Sequence, residues 1–257
     1  SIPLEAQRLG LPASGSDLNP VAVMIGKAMI EIPPKFDAQE PVHPGAKDRN
    51  HYRKAEGLAE DVRFYAQWIR DKALERIGNY YPSVDLPKEL GSENAKVVGW
   101  IWSRTVPSPD PAFSNVEVPI ASSFLLNSKS GKEVWIEPIV DKEARSVRFR
   151  IRSGGTKSEI AQAKDGTKAG RGASFRCIMS GTAITPNYVK EKGRAGEMRQ
   201  RLIAIVADGK GGRVYVEPSN EQEQIALSAR PTWRPETSLP NDPRNFWTVD
   251  YGITKFG

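Results

Sequence analysis

Three arginines spaced two residues apart, Arg148, Arg150 and Arg152 in SVRFRIR, form the sharpest chemical pattern in this 257-residue chain. A guanidinium group donates in a planar fork that fits phosphate oxygens, and neutralising phosphates releases their condensed counterions. If the stretch is a strand, alternation puts all three on one face as a basic stripe. Lys168, Arg171 and Arg176 follow in the glycine-rich GTKAGRGASFR and are further candidates for phosphate contacts. That loop and DGKGGR at 208–213 also offer backbone amides to an anion. Neither has the GxxxxGK[ST] spacing, so both are read as turns.

A second candidate is Asp17 in SDLNPVAV, with Asn19 on the same turn. An acidic residue ending a second strand, one helix after a Gly-rich turn, accepts hydrogen bonds from the ribose hydroxyls of a bound nucleotide. The same residues also suit a simpler role, capping the free amides of a helix that opens near Val21. Local sequence leaves the two roles open. The remaining reactive side chains read as bland. Cys177, the single cysteine, has no partner base nearby in sequence, so a catalytic thiol is not expected. His43 and His51 have no Cys or carboxylate at ligand spacing and read as solvated loop residues.

Charge is unevenly placed. The chain carries 37 basic and 31 acidic side chains, a net +6. Between Lys142 and Arg213 stand 17 Lys and Arg against 6 Asp and Glu, so the remainder is mildly acidic. A basic module set in an acidic host points to nucleic acid as the partner. No apolar run approaches the roughly 20 residues of a membrane-spanning helix. One cysteine excludes an internal disulfide framework and a four-cysteine zinc site. The N-terminus lacks the basic-then-apolar pattern of a signal peptide, so the expectation is a soluble, cytoplasmic chain.

These side chains need elements to hold them. The spacing of Ile2, Ala6 and Leu9 predicts a helix stopped by Gly10. A strand is expected next, ending at Asp17, and then a second helix over 21–32 with Pro20 in its first turn. Residues 56–80 read as the best helix, with Leu58, Val62, Tyr65, Ile69 and Ala73 on one stripe. From Lys96 onward β-type runs dominate: VVGWIW, the stretch near Phe124, EVWIEPIV, SVRFRIR, and a hairpin in RLIAIVADGKGGRVYVEP. Trp100, Trp102, Trp135 and Phe149 lie in these runs and read as core rather than as base-stacking platforms. A short helix is expected over 221–229, and the proline-rich end reads as irregular.

The stretches SIPLEAQRLG, SDLNPVAVMIGKAMIEIPPKF, GLAEDVRFYAQWIRDKALERIG, EVWIEPIVD, ITPNYVKEKGRAGEMRQRLIAIV and PRNFWTVDYG, taken in order, resemble the prokaryotic adenine-specific DNA methylases that contain a Zn-ribbon. The resemblance spans nearly the whole chain. It implies that a Gly-rich loop for S-adenosylmethionine precedes the position of Ser1. It also implies that an Asp-Pro-Pro-Tyr-type catalytic motif follows Gly257. Neither motif occurs in the chain, and Pro33-Pro34 follows Ile32 and does not qualify. Asp17, with Asn19 beside it, then corresponds to the acidic position on the cofactor ribose. The family's two zinc knuckles fall on SPDPAF, where Ser108 and Phe113 replace cysteines, and on CIMSG, where Cys177 remains and Ser180 replaces its partner. A tetrahedral zinc site needs four N or S ligands, so no zinc is expected. The ribbon frame is expected to be held instead by Trp135, Ile139, Phe149 and Ile151.

The expected fold is therefore α/β: a partial Rossmann-like methyltransferase domain over 1–96, a basic β-rich, degenerate zinc-ribbon-like insert over 97–213, and a return segment over 214–257. The expected function is part of a DNA methyltransferase that moves a methyl group from S-adenosylmethionine to the exocyclic amine of adenine, on a base flipped from the duplex. The fragment alone is expected to be inactive. DNA is the expected partner, with no membrane contact. The alternative is a non-catalytic nucleic-acid-binding or assembly module derived from such a methylase.

Overall fold

A short helix opens the chain, α1 (Ile2–Arg8), as the spacing of Ile2 and Ala6 predicts. A computed structural model describes residues 2–46, 49, 51–240 and 247–256. Within it the chain forms two compact units, Ser1–Asn79 and Tyr80–Gly257. Ser1 and residues 243–246 of the PRNFWTVDYG stretch lie outside the described residues.

The expected strand before Asp17 does not form: residues 11–17 are unpaired and exposed. PASGSD offers no apolar face to bury, and an isolated strand has nothing to bond. α2 (Pro20–Gly26) then begins with Pro20 in its first turn and runs through a wider helical turn, Lys27–Glu31, into α3 (Ile32–Lys35). The long helix α4 (Glu56–Ile77) forms where expected. Its packed face is not the expected stripe, because Val62, Tyr65 and Ile69 are exposed. The loop over 39–46 lies instead along Gly57, Asp61 and Phe64. The Asp61 carboxylate accepts from Val42 N and His43 N at 2.8–3.0 Å, and the His43 ring stacks on Phe64 with centroids 4.4 Å apart. A Cβ at Gly57 would collide with the Gln39 carbonyl oxygen. A bare glycine and a carboxylate at the loop's amides thus select the face, ahead of apolar periodicity. His43 is correspondingly buried rather than solvated; His51 is exposed.

The second unit is built on β1 (Val97–Pro107), which pairs with β2 (Glu117–Pro119) on one side. A second sheet follows, formed by β3 (Leu125–Asn127), β4 (Val134–Asp141) and β5 (Ser146–Ser153). Next come α5 (Lys157–Asp165), the small pair β6 (Phe175–Arg176) and β7 (Ala183–Ile184), and α6 (Pro186–Arg194). β8 (Arg199–Gly209) returns along β1 and turns into β9 (Gly212–Val216), giving the sheet order β2-β1-β8-β9. α7 (Asn220–Ser228) closes the described order of major elements. The fold is mixed α and β, and every strand pairing among the described residues is antiparallel. The expected Rossmann-like parallel sheet is therefore not seen there. Strands joined by tight turns such as 210–211 pair antiparallel, since a parallel pair needs a long crossover.

Val106, Val118, Ile136, Met179, Ile184 and Ala204 are fully buried in one cluster and bring both larger sheets onto shared apolar ground. Phe149 and Ile151 pack into it from β5, as expected of the frame. Ile139 does not: it stands in register with Arg148 on the opposite face of β4–β5. Trp135, in register with Arg152, is buried where its indole N–H donates to Gly154 O at 2.8 Å. Trp100 and Trp102 are only half-buried.

The 3-10 turn Trp247–Tyr251 docks on α6. Lys190 Nζ and Arg194 Nη2 donate to the Asp250 carboxylate at 2.6 and 2.8 Å. The backbones of Gly252 and Gly193 touch, Gly252 has a φ of 82°, and a Cβ there would strike the Gly193 carbonyl oxygen. Gly252→Ala is expected to destabilise the fold by about 1–3 kcal/mol through left-handed strain alone, read as a lowered Tm. The hydrogen bonds from Lys190 and then Arg194 hold the Asp250 carboxyl below its ordinary 3.8. A depressed folded pKa stabilises fully above the unfolded value and is lost as pH falls through the folded one. Asp250→Asn should therefore lower Tm at pH 7, and the deficit relative to wild type should shrink below pH 3.8.

Candidate nucleic-acid interface

β5 alternates cleanly. Val147 and Phe149 are buried and Ile151 half-buried, while Arg148, Arg150 and Arg152 are exposed between them. Strand geometry spaces alternate residues by roughly 6.6–6.8 Å. The antiparallel partner β4 places Ile139, Glu137 and Trp135 directly opposite the three arginines. Glu137 Oε2 lies 3.7 Å from Arg150 and 3.8 Å from Arg152, shielded from solvent and with no hydrogen-bond partner among the described residues. It attracts both guanidinium groups without occupying their donors. No ion pair or hydrogen bond engages the Arg148 side chain among the described residues.

Arg148 and Arg150 border a depression of about 280 Å³ that also holds Arg201 and the start of α7. This depression shares Arg201, Asn220 and Glu223 with a larger open groove of about 950 Å³. Arg104 and Arg199 line the larger groove with Arg201. α7 is set in place by several bonds. Ser219 caps its first turn. Trp100 Nε1 donates to Gln222 Oε1 at 2.6 Å, and Gln222 Nε2 donates to Ser83 O at 3.2 Å. Glu223, buried, accepts from Arg201 Nε at 2.9 Å and from Leu202 N at 3.2 Å. Trp100 is thus a tether for α7.

The other sequence candidates lie apart from this stripe. Lys168 and Arg176 flank the glycine-rich loop, and Arg171 sits on it; all three side chains are exposed. Lys168 pairs across to Phe175 through its backbone, and Arg176 Nη1 donates to Gly181 O at 3.3 Å. In the first unit, Asn19 Oδ1 accepts from Val21 N at 2.9 Å and caps α2. Asp17 Oδ1 accepts from Asn19 N at 2.8 Å. The capping role is therefore the one formed, and both residues are exposed. With no strand ending at Asp17 and no wall around it, the residues present do not form a cradle for S-adenosylmethionine.

The two knuckle stretches meet. Ser108 Oγ lies 3.2 Å from Cys177 Sγ, both buried. Phe113 packs against the same apolar cluster, and Ser180 Oγ donates to Thr182 Oγ1 at 2.9 Å. Phenylalanine has no donor and Ser180 is engaged elsewhere, so this set does not fit a zinc ion. No group of three or more His, Cys, Asp or Glu side chains converges among the described residues. No described helix is long and apolar enough to cross a membrane. No family model, curated protein or solved structure matches the chain.

Sequence reasoning did not single out Arg104, Arg199 and Arg201. Arg199 and Arg201 repeat the two-residue spacing of the β5 arginines in MRQRLIAIV, which is a usable signal. Arg104 carries none, because only the β1–β8 register brings it opposite Gln200. The Ser108–Cys177 contact is directly testable. Ser108→Cys should form a disulfide with Cys177 under mild oxidation, read as a loss of about two mass units and of both titratable thiols in denaturant. Two free thiols after oxidation would show that the knuckles do not meet.

Proposed function

We propose that this chain contacts DNA through the arginine stripe of β5, as the substrate-engaging part of an S-adenosylmethionine-dependent, adenine-specific DNA methylase. One observation carries the DNA contact: Arg148, Arg150 and Arg152 project from a single exposed face while the intervening side chains anchor the strand in the core. Such a row meets successive phosphates as point contacts of fixed spacing, and the affinity it supplies is electrostatic and salt-dependent. Lys168, Arg171 and Arg176, on a loop apart from the stripe, add further positive potential to the same unit. The methylase assignment is supported by the sequence resemblance. In it the cofactor loop and the Pro-Pro motif belong to sequence flanking this chain, Asp17 and Asn19 approach the cofactor ribose only when that flanking structure is in place, and the setting is the cytoplasm.

A second reading is favoured by the Asn19 cap and the Asp17 bond to Asn19 N, which engage both side chains locally. In it the chain is a non-catalytic nucleic-acid-binding or assembly module derived from such a methylase. Both readings require the stripe to hold nucleic acid.

The test is fluorescence anisotropy of a labelled blunt duplex titrated with the full chain across a salt series. Wild type should bind, with log K falling linearly in log salt. Arg148→Ala, Arg150→Ala and Arg152→Ala together should reduce that slope by about 2–3, at roughly 0.9 per phosphate contact. Unchanged affinity and slope in the triple variant would overturn the stripe assignment.

A further inference from the structure

The groove beyond the stripe differs from it in chemistry, and the difference bears on the form of the nucleic acid. The β5 stripe presents three arginines, two of them beside the Glu137 carboxylate, and no row of side-chain amides. The larger groove, about 950 Å³, combines three kinds of wall. Arg104 and Arg199 supply cations: neither forms an ion pair among the described residues, and one nitrogen of each is engaged, Arg104 Nη1 with Met198 Sδ at 3.3 Å and Arg199 Nη1 with the Gly196 and Met198 carbonyl oxygens. Both acids in the lining are engaged: Glu117 Oε2 accepts from the Thr105 hydroxyl at 2.6 Å, and Glu223 is held by Arg201 and Leu202 N. Positive charge in the groove is therefore only partly offset. Asn220 and Gln224 add side-chain amides from α7. Leu227, Tyr251 and Ile253 add an apolar wall.

A phosphate satisfies the arginines, a base edge pairs with an amide that both donates and accepts, and a base face lies against an apolar surface. An unpaired nucleotide uses all three walls together. A duplex buries its base faces in the stack and leaves the apolar wall and most of the amides without partners. An acidic peptide also answers the arginines, but its side chains make no flat contact with the wall. The groove's volume lies in the range that accommodates small organic ligands, roughly 300–1,000 Å³. The groove adjoins the depression that Arg148 and Arg150 border, with Arg201, Asn220 and Glu223 as common lining, so the two are neighbours on the surface.

We infer that this groove receives unpaired nucleotides, so that the chain binds a junction between duplex and single strand, with duplex phosphates on β5 and the single strand in the groove. This rests on the nucleic-acid reading above and adds the strand state to it. The test uses two probes, a blunt 16-bp duplex and the same duplex with a six-nucleotide single-stranded tail, about the span of one single-strand binding site. Wild type should bind the tailed probe roughly tenfold more tightly, a modest share of what base contacts supply. Arg104→Gln with Arg199→Gln keeps both long side chains and removes their charge, and should bring the ratio of the two affinities close to one. An unaltered circular dichroism melt establishes that the variant is folded.

Equal affinity for the two probes in wild type would overturn the inference while leaving duplex binding, and with it the proposed function, intact. A ratio unaffected by the double variant would place the single strand elsewhere and also overturn it. Displacement of the tail by polyglutamate as effectively as by an oligonucleotide of equal charge would assign the groove to an acidic peptide. Failure of wild type to bind either probe would remove both readings together.

Discussion

Glu223 is the constraint around which the second unit's surface is organised. β8 runs for eleven residues, but β9 covers only its far half, so among the described residues no strand lies beside that edge near Arg201 and Leu202. A buried carboxylate on α7 fills that place, accepting from the Leu202 amide and from Arg201. Leaving such a carboxylate unpaired costs about 3–5 kcal/mol, so the helix, the strand edge and the arginine are held as a unit. The bond also fixes the surface. It stands Arg201 between the two depressions and makes α7 the wall of both. Trp100 and Gln222 strengthen the same seam one residue along the helix.

The arginine stripe follows from the core in a similarly direct way. A strand has a period of two, so any β5 that buries Val147, Phe149 and Ile151 must expose residues 148, 150 and 152. The stripe is then as rigid as the packing beneath it. Glu137 keeps Arg150 and Arg152 extended over the sheet by attraction at 3.7–3.8 Å, beyond hydrogen-bond length. Both guanidinium groups are about half exposed and keep their donors free of Glu137, so an incoming phosphate competes with this attraction. Arg148 needs no such release, and it lines the smaller depression.

Much of this was legible in the sequence, and the exceptions have physical causes. Runs with a clean period formed as read: α4, β4, β5 and the β8–β9 hairpin all lie close to their expected positions. The strand before Asp17 failed because a strand's stability resides in its neighbours, which local sequence does not contain. The face of α4 was misread because Gly57 and Asp61 act through a loop nearly twenty residues away: Asp61 is 19 positions from Val42. His43 read as a loop residue and is one, but its ring is buried on Phe64 by that same loop. The stripe was legible because three side chains on one strand need no tertiary information. The groove was not, because only the pairing of β1 with β8 brings Arg104 and Arg199 to the lining of one groove.

The closure of the β module bears on its surface. Ser108 and Cys177 lie 69 residues apart in sequence and touch in the core. Around them Val106, Val116, Met179 and Ile184 form a continuous buried cluster, so the knuckles are joined by apolar contact and one polar pair. Val147 and Phe149 of β5 belong to that same buried cluster, so the contacts that close the module also fix the face of β5 on which Arg148, Arg150 and Arg152 stand.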